Sequence, residues 1–453
     1  MKYLNVAFAL ARISAVCALL PLVIGWRTPF LAGWRYTALA GLLIILAVVA
    51  AYEIWTLRRG GSRPLRIASG ASLAVALFAF AMTATIELVF QYKRHVVLNA
   101  DASTLEKLGA HLLVGYRRES DLQDLLDRRA VGGVFLSARN VEGKSIDAVR
   151  QETQMMQDAR QRQGLDPLWI ATDQEGGPVS RMSPPLGRMP TIAEIVALHR
   201  DPAERLLAVR QYAARQGREL KSLGVNLNFA PVVDLNHGVQ NPNDRLTRIT
   251  TRAISQDPAI VTEVANLYCA TLLITGVHCT LKHFPGLGRV FEDTHMVVAE
   301  LNAKADELEA SDWLPFRQIM SANAAFTMLG HARLAAIDPD RPASFSDAVV
   351  KTMLRETWKH DGVFVTDDFS MGAVTLSREG AAGGAIAALN AGVDLILVSY
   401  DPDQYFYVMY ALLQADRDGR LSADTLKASK ARLRKAAGGA STALSPAPPA
   451  ALN

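Results

Sequence analysis

Three cysteines in 453 residues are too few for a disulfide-knitted scaffold or a Cys-rich zinc module. Charge of one sign is also scarce in excess. The 48 Lys and Arg against 44 Asp and Glu leave a net charge of +4, with no basic stripe, so nucleic acid is not an expected partner. No Gly-x-Gly-x-x-Gly or Walker-type loop follows the first strand candidate, which removes the usual signs of a nucleotide site. The composition has no fibrous period and no polar bias of the kind that excludes a core, so collagen, coiled coil and wholesale disorder are out.

Long hydrophobic runs are present, and they are unevenly placed. Hydrophobic residues make up 50% of the chain, and the mean hydropathy of +0.12 is high for a soluble enzyme. Three apolar runs fall within residues 1–95: 6–26, broken only by Arg12; 36–55, with Glu53 near its end; and 67–90, with Glu87 near its end. Each approaches the roughly 20 residues that cross a bilayer. A signal peptide alone would give one shorter run and a small-residue cleavage site. The expectation is a membrane region of about three transmembrane helices over residues 1–95, with the lipid bilayer as partner and a multi-pass location, in a bacterial inner membrane. Arg58, Arg59, Arg63 and Arg66 between the second and third runs place that loop in the cytoplasm by the positive-inside rule. Everything after Lys93 is then periplasmic or extracellular, although Lys93 and Arg94 pull the other way.

Residues 96–437 read as a globular domain. Short β-branched or aromatic runs at 111–115, 134–137, 168–172, 227–232, 280–283, 326–330, 363–366 and 395–399 alternate with amphipathic stretches such as 203–223, 258–275, 347–359 and 383–391. Eight strand–helix repeats predict an α/β fold of the (β/α)8 TIM-barrel type, with strands buried on both faces. Residues 438–453 form a Pro/Ala-rich tail that cannot build a core and is expected to be disordered.

Polar residues gather where the strand candidates stop. The third runs into Asp173-Gln174-Glu175-Gly176-Gly177, the fourth ends near Asp234, and the fifth runs into Lys282-His283-Phe284-Pro285-Gly286. The sixth ends at His331 and the seventh at Asp367-Asp368. One such residue alone would be read as a helix cap or a loop ion pair. Five at equivalent positions predict a shared pocket at the C-terminal end of the barrel. Asp293 and His295 lie in a Gly-containing loop beyond the fifth strand, where a mobile cover over the barrel mouth is expected. At this spacing the carboxylate orients the imidazole and favours its protonated form. Strand alternation sends Asp367 and Asp368 to opposite faces, and the sequence does not say which faces the axis.

These blocks bring a family into view. WIATDQEGGPVSRM, NFAPVVDLN, LKHFPGLGRVFEDTH, TMLGHARLAAID and GVFVTDDFSMGAV resemble glycoside hydrolase family 3, most of all its single-barrel exo-β-N-acetylglucosaminidase branch, over about residues 100–435. The resemblance implies a retaining β-N-acetylhexosaminidase that releases terminal N-acetylglucosamine from cell-wall or envelope saccharides. It implies Asp367 as nucleophile and the Asp293–His295 dyad as general acid/base. It further implies Asp173, Arg181, Arg252, Lys282 and His283 as substrate-binding residues, a carbohydrate as partner, and neither metal nor organic cofactor. Two departures stand out: Leu287 replaces the family's histidine in KHFPGHG, and Pro178 replaces the arginine of EGGRV.

The chemistry fits these residue types, since a retaining glycosidase needs one carboxylate to attack the anomeric carbon and one acid to protonate the leaving oxygen. Two other readings compete. A metal-dependent barrel hydrolase would use His283, His295, His331 and Asp367 as ligands, but no His-x-His pair follows the first strand candidate. A membrane-tethered sugar-binding module without catalysis would explain Pro178 and Leu287 but not the intact dyad and nucleophile. Phosphate in place of water remains open within the first reading, and Cys269 and Cys279 are free or paired.

Overall fold

The computed structural model describes residues 2–442. Its contacts fall into two units, residues 1–96 and 97–453.

The first unit is helical: Lys2–Cys17, Leu20–Gly25, Arg35–Arg59 and Arg63–Leu98, the last reaching just beyond the unit boundary. The first apolar run does not form one helix. It breaks around Leu19, and Pro21, which has no N–H to donate, opens the short second helix. The expectation of three membrane spans is therefore corrected: among the described residues, two helices, Arg35–Arg59 and Arg63–Leu98, are long and apolar enough to cross a membrane. Length and composition are all that qualifies them, and a signal sequence near the N-terminus meets the same test. Their apolar side chains point mostly outward, with Val48 63% and Leu88 69% exposed.

The charges inside the apolar runs find one another. Arg12 pairs with Glu53, its Nε 3.1 Å from Oε1, and also donates to Ser69 Oγ at 3.2 Å. Arg27 meets Glu87 at 2.6 Å. Glu53 is fully enclosed, and a charge so placed is tolerable only when paired.

The second unit is built on eight parallel strands: β1 (Leu112–Gly115), β2 (Gly133–Leu136), β3 (Trp169–Thr172), β4 (Leu227–Asn228), β5 (Thr280–Phe284), β6 (Phe326–Leu329), β7 (Phe364–Asp368) and β8 (Leu395–Val398). They lie in the order β4-β3-β2-β1-β8-β7-β6-β5. Parallel bridges from Leu227 to His278 and from Val232 to Lys282 join the two edges, so the sheet nearly closes into a barrel. All eight expected strands are present. The fourth is shorter than expected, Leu227–Asn228 instead of 227–232, because Pro231 cannot donate to a ladder.

Helices return the chain between strands. Two of them, Pro202–Ser222 and Pro258–Ile274, start in the same way. Asp201 accepts from Ala203 N and Glu204 N at 3.0 Å, Asp257 accepts from Ala259 N at 2.8 Å, and each aspartate is followed by proline. Cys269 of the second helix is disulfide-bonded to Cys279, just before β5.

Alternate residues of the strands fill the barrel: Leu113, Phe135, Trp169, Ala171, Phe326, Met328, Val363, Val365, Leu395 and Leu397 form one buried cluster. Leu433, Ala436 and Ala437 of the helix Ala423–Thr442 pack against it. They meet side chains near the strand starts, so this helix plugs the N-terminal end of the barrel. It runs to Thr442, which makes 438–442 of the expected tail helical. Residues 443–453 lie outside the described residues.

Candidate active site

The inward-facing register positions the polar residues. Val363 and Val365 belong to the barrel core, and Asp367 is next on the same face. By the same alternation Trp169 and Ala171 lead to Asp173. His278, which packs against Trp169 and Phe326, leads through Thr280 to Lys282. Apolar layers below thus end in a layer of Asp173, Lys282 and Asp367 at the C-terminal end.

Asp367 Oδ1 accepts the N–H of Asp368 at 2.8 Å. Burial pushes its carboxyl up, but the imidazoles of His283, His331 and His295 outweigh that and hold it below the ordinary carboxylate value. Asp368 faces the other way. It accepts from Ser370 N at 2.8 Å, Ser399 N at 3.2 Å, Ser399 Oγ at 2.5 Å and Tyr400 N at 2.7 Å. It joins the end of β7 to the end of β8 and is occupied doing so.

After β3 the chain makes a small hairpin, Gln174–Gly176 with Val179–Ser180. Gly176 is essential to it: with φ +94°, a Cβ there would lie 2.1 Å from Pro190 O and 2.5 Å from the Tyr212 hydroxyl. The hairpin points Glu175 into the pocket. Arg252 grips it with two bonds, Nε to Oε2 at 3.0 Å and Nη2 to Oε1 at 2.7 Å, and Lys282 Nζ lies 2.6 Å from Oε1. Burial pushes the Glu175 carboxyl up; Arg252 and Lys282 overcome this and hold it well below the carboxylate range. Lys282 Nζ also donates to Asp173 Oδ1 at 2.8 Å.

His283 is held from both sides. Its Nδ1 is 2.7 Å from Asp234 Oδ2, and Arg252 Nη2 approaches Nε2 at 3.4 Å. A carboxylate on one nitrogen and a guanidinium on the other assign the proton to Nδ1. Asp234 also accepts the N–H groups of His283 and Leu287. His331 sits between Ser344 Oγ at 2.7 Å and Asp368 O at 3.1 Å, and burial pushes its imidazole down.

The dyad loop is docked. Asp293 Oδ1 accepts from His295 N, His295 Nδ1 and Thr247 Oγ1 at 3.0, 3.0 and 2.9 Å. Its Oδ2 accepts from Arg245 N and Leu246 N at 3.2 and 3.1 Å. Burial pushes the Asp293 carboxyl up, and the bonds from His295 and Thr247 bring it well below its ordinary value. Gly372 N donates to His295 O at 2.8 Å and Ala373 N to Thr294 O at 3.1 Å. A Cβ on Gly372 would stand 2.3 Å from Met296 O, so only glycine allows this approach. The His295 side chain remains 34% exposed, with Nδ1 committed to Asp293.

Of the residues singled out in the sequence, Asp173, Arg252, Lys282 and His283 are joined by the contacts above, and Asp293 pairs with His295. Arg181 is different: its side chain is exposed, and only its backbone N–H is tied in, to Asp173 O at 3.0 Å. Pro178 sits exposed at the hairpin turn, and Leu287 is buried with its N–H on Asp234. Sequence reasoning noted Glu175 without its role as the anion shared by Arg252 and Lys282. Thr247, which touches both members of the dyad, gave no signal in the sequence. Among the described residues, no three His, Cys, Asp or Glu are grouped to hold a metal ion. Both ring nitrogens of His283 and of His331 are already engaged, which disfavours the metal-ligand reading.

A nearly closed parallel barrel with carboxylates, imidazoles and paired cations at its C-terminal end defines a hydrolase-type pocket for a polar substrate. Residues 103–436 match the "Glycosyl hydrolase family 3 N terminal domain". The chain belongs to glycosyl hydrolase family 3 and is a glycosyl hydrolase. It is 35% identical over 279 residues to a beta-hexosaminidase of Stenotrophomonas maltophilia, covering 61% of this chain and 79% of that one. To a beta-hexosaminidase of Methylococcus capsulatus it is 33% identical over 302 residues, covering 66% and 85%. Among solved structures, a family 3 beta-N-acetylglucosaminidase from Paenibacillus superposes with a TM-score of 0.67 at 28% identity, over 76% of this chain and 64% of that chain. A beta-N-acetylhexosaminidase from Beutenbergia cavernae superposes with a TM-score of 0.64 at 32% identity, over 75% of this chain and all 100% of the other.

Proposed function

We propose that this chain is a retaining β-N-acetylhexosaminidase that releases terminal N-acetylglucosamine from envelope saccharides. The observation that carries the reading is the place of Asp367: an inward-facing carboxyl at the C-terminal end of β7, in one layer with the Asp173–Lys282 pair, where a nucleophile is needed. The family relatives named beta-hexosaminidase support the choice of sugar.

In the first step Asp367 attacks the anomeric carbon and forms a glycosyl ester as the bond to the leaving oxygen breaks. His295, with Nδ1 on Asp293, gives that oxygen the proton from Nε2. In the second step the same nitrogen takes a proton from water, which attacks the anomeric carbon and frees Asp367 with the original configuration restored. Asp293 remains ionised throughout and stabilises the imidazolium. Asp173, Lys282, His283 and Arg252 hold the sugar hydroxyls and the ring in a reactive pose. Arg181, exposed at the rim, is assigned to this set from its place in the DQEGG block alone. No step requires a metal or an organic cofactor.

A slow fluorinated glycosyl donor tests the mechanism. Mass spectrometry should find the sugar on the peptide containing Asp367, and NMR should find the β-anomer released first from a natural substrate. A first-formed α-anomer, or label on another residue, rejects the reading. Assays with and without phosphate separate hydrolysis from phosphorolysis.

The same reading includes a membrane anchor in residues 1–95, a catalytic domain over 96–437 on the periplasmic or outer side, and a tail beyond. The two long apolar helices, with Arg58, Arg59, Arg63 and Arg66 at the turn between them, support that orientation. So does the Cys269–Cys279 bond, since disulfides persist in oxidising compartments.

A further inference from the structure

Proton delivery fixes where the leaving group sits. An acid protonates the glycosidic oxygen only within hydrogen-bond reach, so whatever lies beyond that oxygen rests on the surface around His295. That surface is stitched from three segments. Residues 245–247 donate to the Asp293 carboxylate. Residues 372–373 donate to the carbonyls of His295 and Thr294. Asn241 Nδ2 fixes Phe291 O at 2.7 Å.

Large apolar side chains on or beside these segments are open to water: Leu246 at 54%, Phe291 at 54%, Met296 at 42% and Val297 at 43% next to His295, and Leu376 at 60%, whose N–H is bonded to Gly372 O. A single exposed apolar residue calls for no explanation, but five on the backbone segments that hold the His295 loop in place do. A polar glycan gains little from such a surface, whereas an apolar chain withdraws both itself and the patch from water. We infer that the rim around His295 is a leaving-group subsite that selects glycosides whose aglycone carries an apolar chain. This rests on the glycosidase reading with His295 as the acid.

The test uses the full chain in nanodiscs and a series of methyl, butyl and hexyl β-N-acetylglucosaminides. Each methylene fully withdrawn from water contributes ~0.8 kcal/mol, a factor of about 4. Partial burial should therefore raise kcat/KM by roughly 10-fold or more from methyl to hexyl. Phe291→Ser and, on a separate segment, Leu376→Ser should each cut that ratio at least threefold. The inference is overturned by a flat series in the wild type, by variants that keep the full ratio, or by equal losses on all three substrates. It is also overturned if the variants alter binding to phosphatidylcholine vesicles and leave the chain-length ratio intact, which would make the patch a membrane contact. No turnover of any glycoside by the wild type would instead reject the glycosidase reading itself.

Discussion

Asp293 Oδ1 stands 3.0 Å from His295 Nδ1, and the same oxygen accepts the His295 backbone N–H at 3.0 Å. The carboxylate therefore sets both the tautomer and the direction of the ring, and Nε2 is the nitrogen not committed to Asp293. If this nitrogen is the acid, its loss should matter most where the leaving group needs a proton. His295→Ala should lower kcat on a natural disaccharide by roughly 10²–10⁴-fold, and much less on a dinitrophenyl glycoside. Asp293→Asn should lose less activity than His295→Ala, because the ring loses its charged anchor but keeps its Nε2. Equal losses on both substrates would count against His295. Glu175 is no ready substitute, since two cations hold it ionised.

Asp367→Ala should abolish turnover of natural substrates and leave the fold intact. Added azide should restore activity on an activated glycoside and yield the α-glycosyl azide. Activity within a few-fold of wild type would remove Asp367 from the mechanism. Asp368→Asn is expected to retain activity but to unfold at lower temperature, because an amide NH2 would face donors that now share a carboxylate. A loss of about 1–3 kcal/mol is the scale for such a buried mismatch.

Glu175 neutralises two buried cations at once. Glu175→Gln should destabilise the domain by about 3–5 kcal/mol, the range for stripping one partner from a buried ion pair, with a rise in KM as Arg252 and Lys282 lose their alignment. Denaturant unfolding beside steady-state kinetics checks both effects. An unchanged midpoint would show that the cations find other partners.

His278 is 2% exposed, and burial pushes its imidazole down from 6.5 to about 4. The sign follows directly. Above pH 6.5 neither folded nor unfolded chain protonates it, and its contribution to stability is complete. As the pH falls from 6.5 towards 4, only the unfolded chain takes up the proton, and about 3 kcal/mol is lost. His278→Phe should therefore move the acid-unfolding midpoint to lower pH. His360, also pushed by burial to about 4, preserves part of the sensitivity. An unshifted midpoint would mean that His278 titrates with the native state intact.

Cys269 and Cys279 should resist maleimide until reduced, whereas Cys17 is the free thiol. Protease added to spheroplasts should digest residues beyond about 95. Protection until lysis, together with reactive thiols at 269 and 279, would place the domain on the cytoplasmic side.

Much of the barrel was legible because the strands are short apolar runs, five of which end in polar residues. The run and its end survive in one dimension. Which of Asp367 and Asp368 faces the axis was not legible: both are polar, and the register depends on packing with Val363 and Val365 inside. Thr247 could not be anticipated, since it meets Asp293 from 46 residues away. The N-terminal runs misled for a related reason. Hydropathy counts Arg12 and Glu53 as separate flaws in two spans, while the fold makes them partners, and it overlooks what Pro21 does to the first run.

The helix Ala423–Thr442 has a consequence for the order of synthesis. Leu433, Ala436 and Ala437 complete the barrel core, yet they follow every residue of the candidate site in chain order. A nascent chain carrying every residue of the candidate site therefore still has an open-ended core. The barrel closes only once this helix has emerged, and a premature stop before Leu433 should yield a chain with its whole pocket encoded and no floor beneath it.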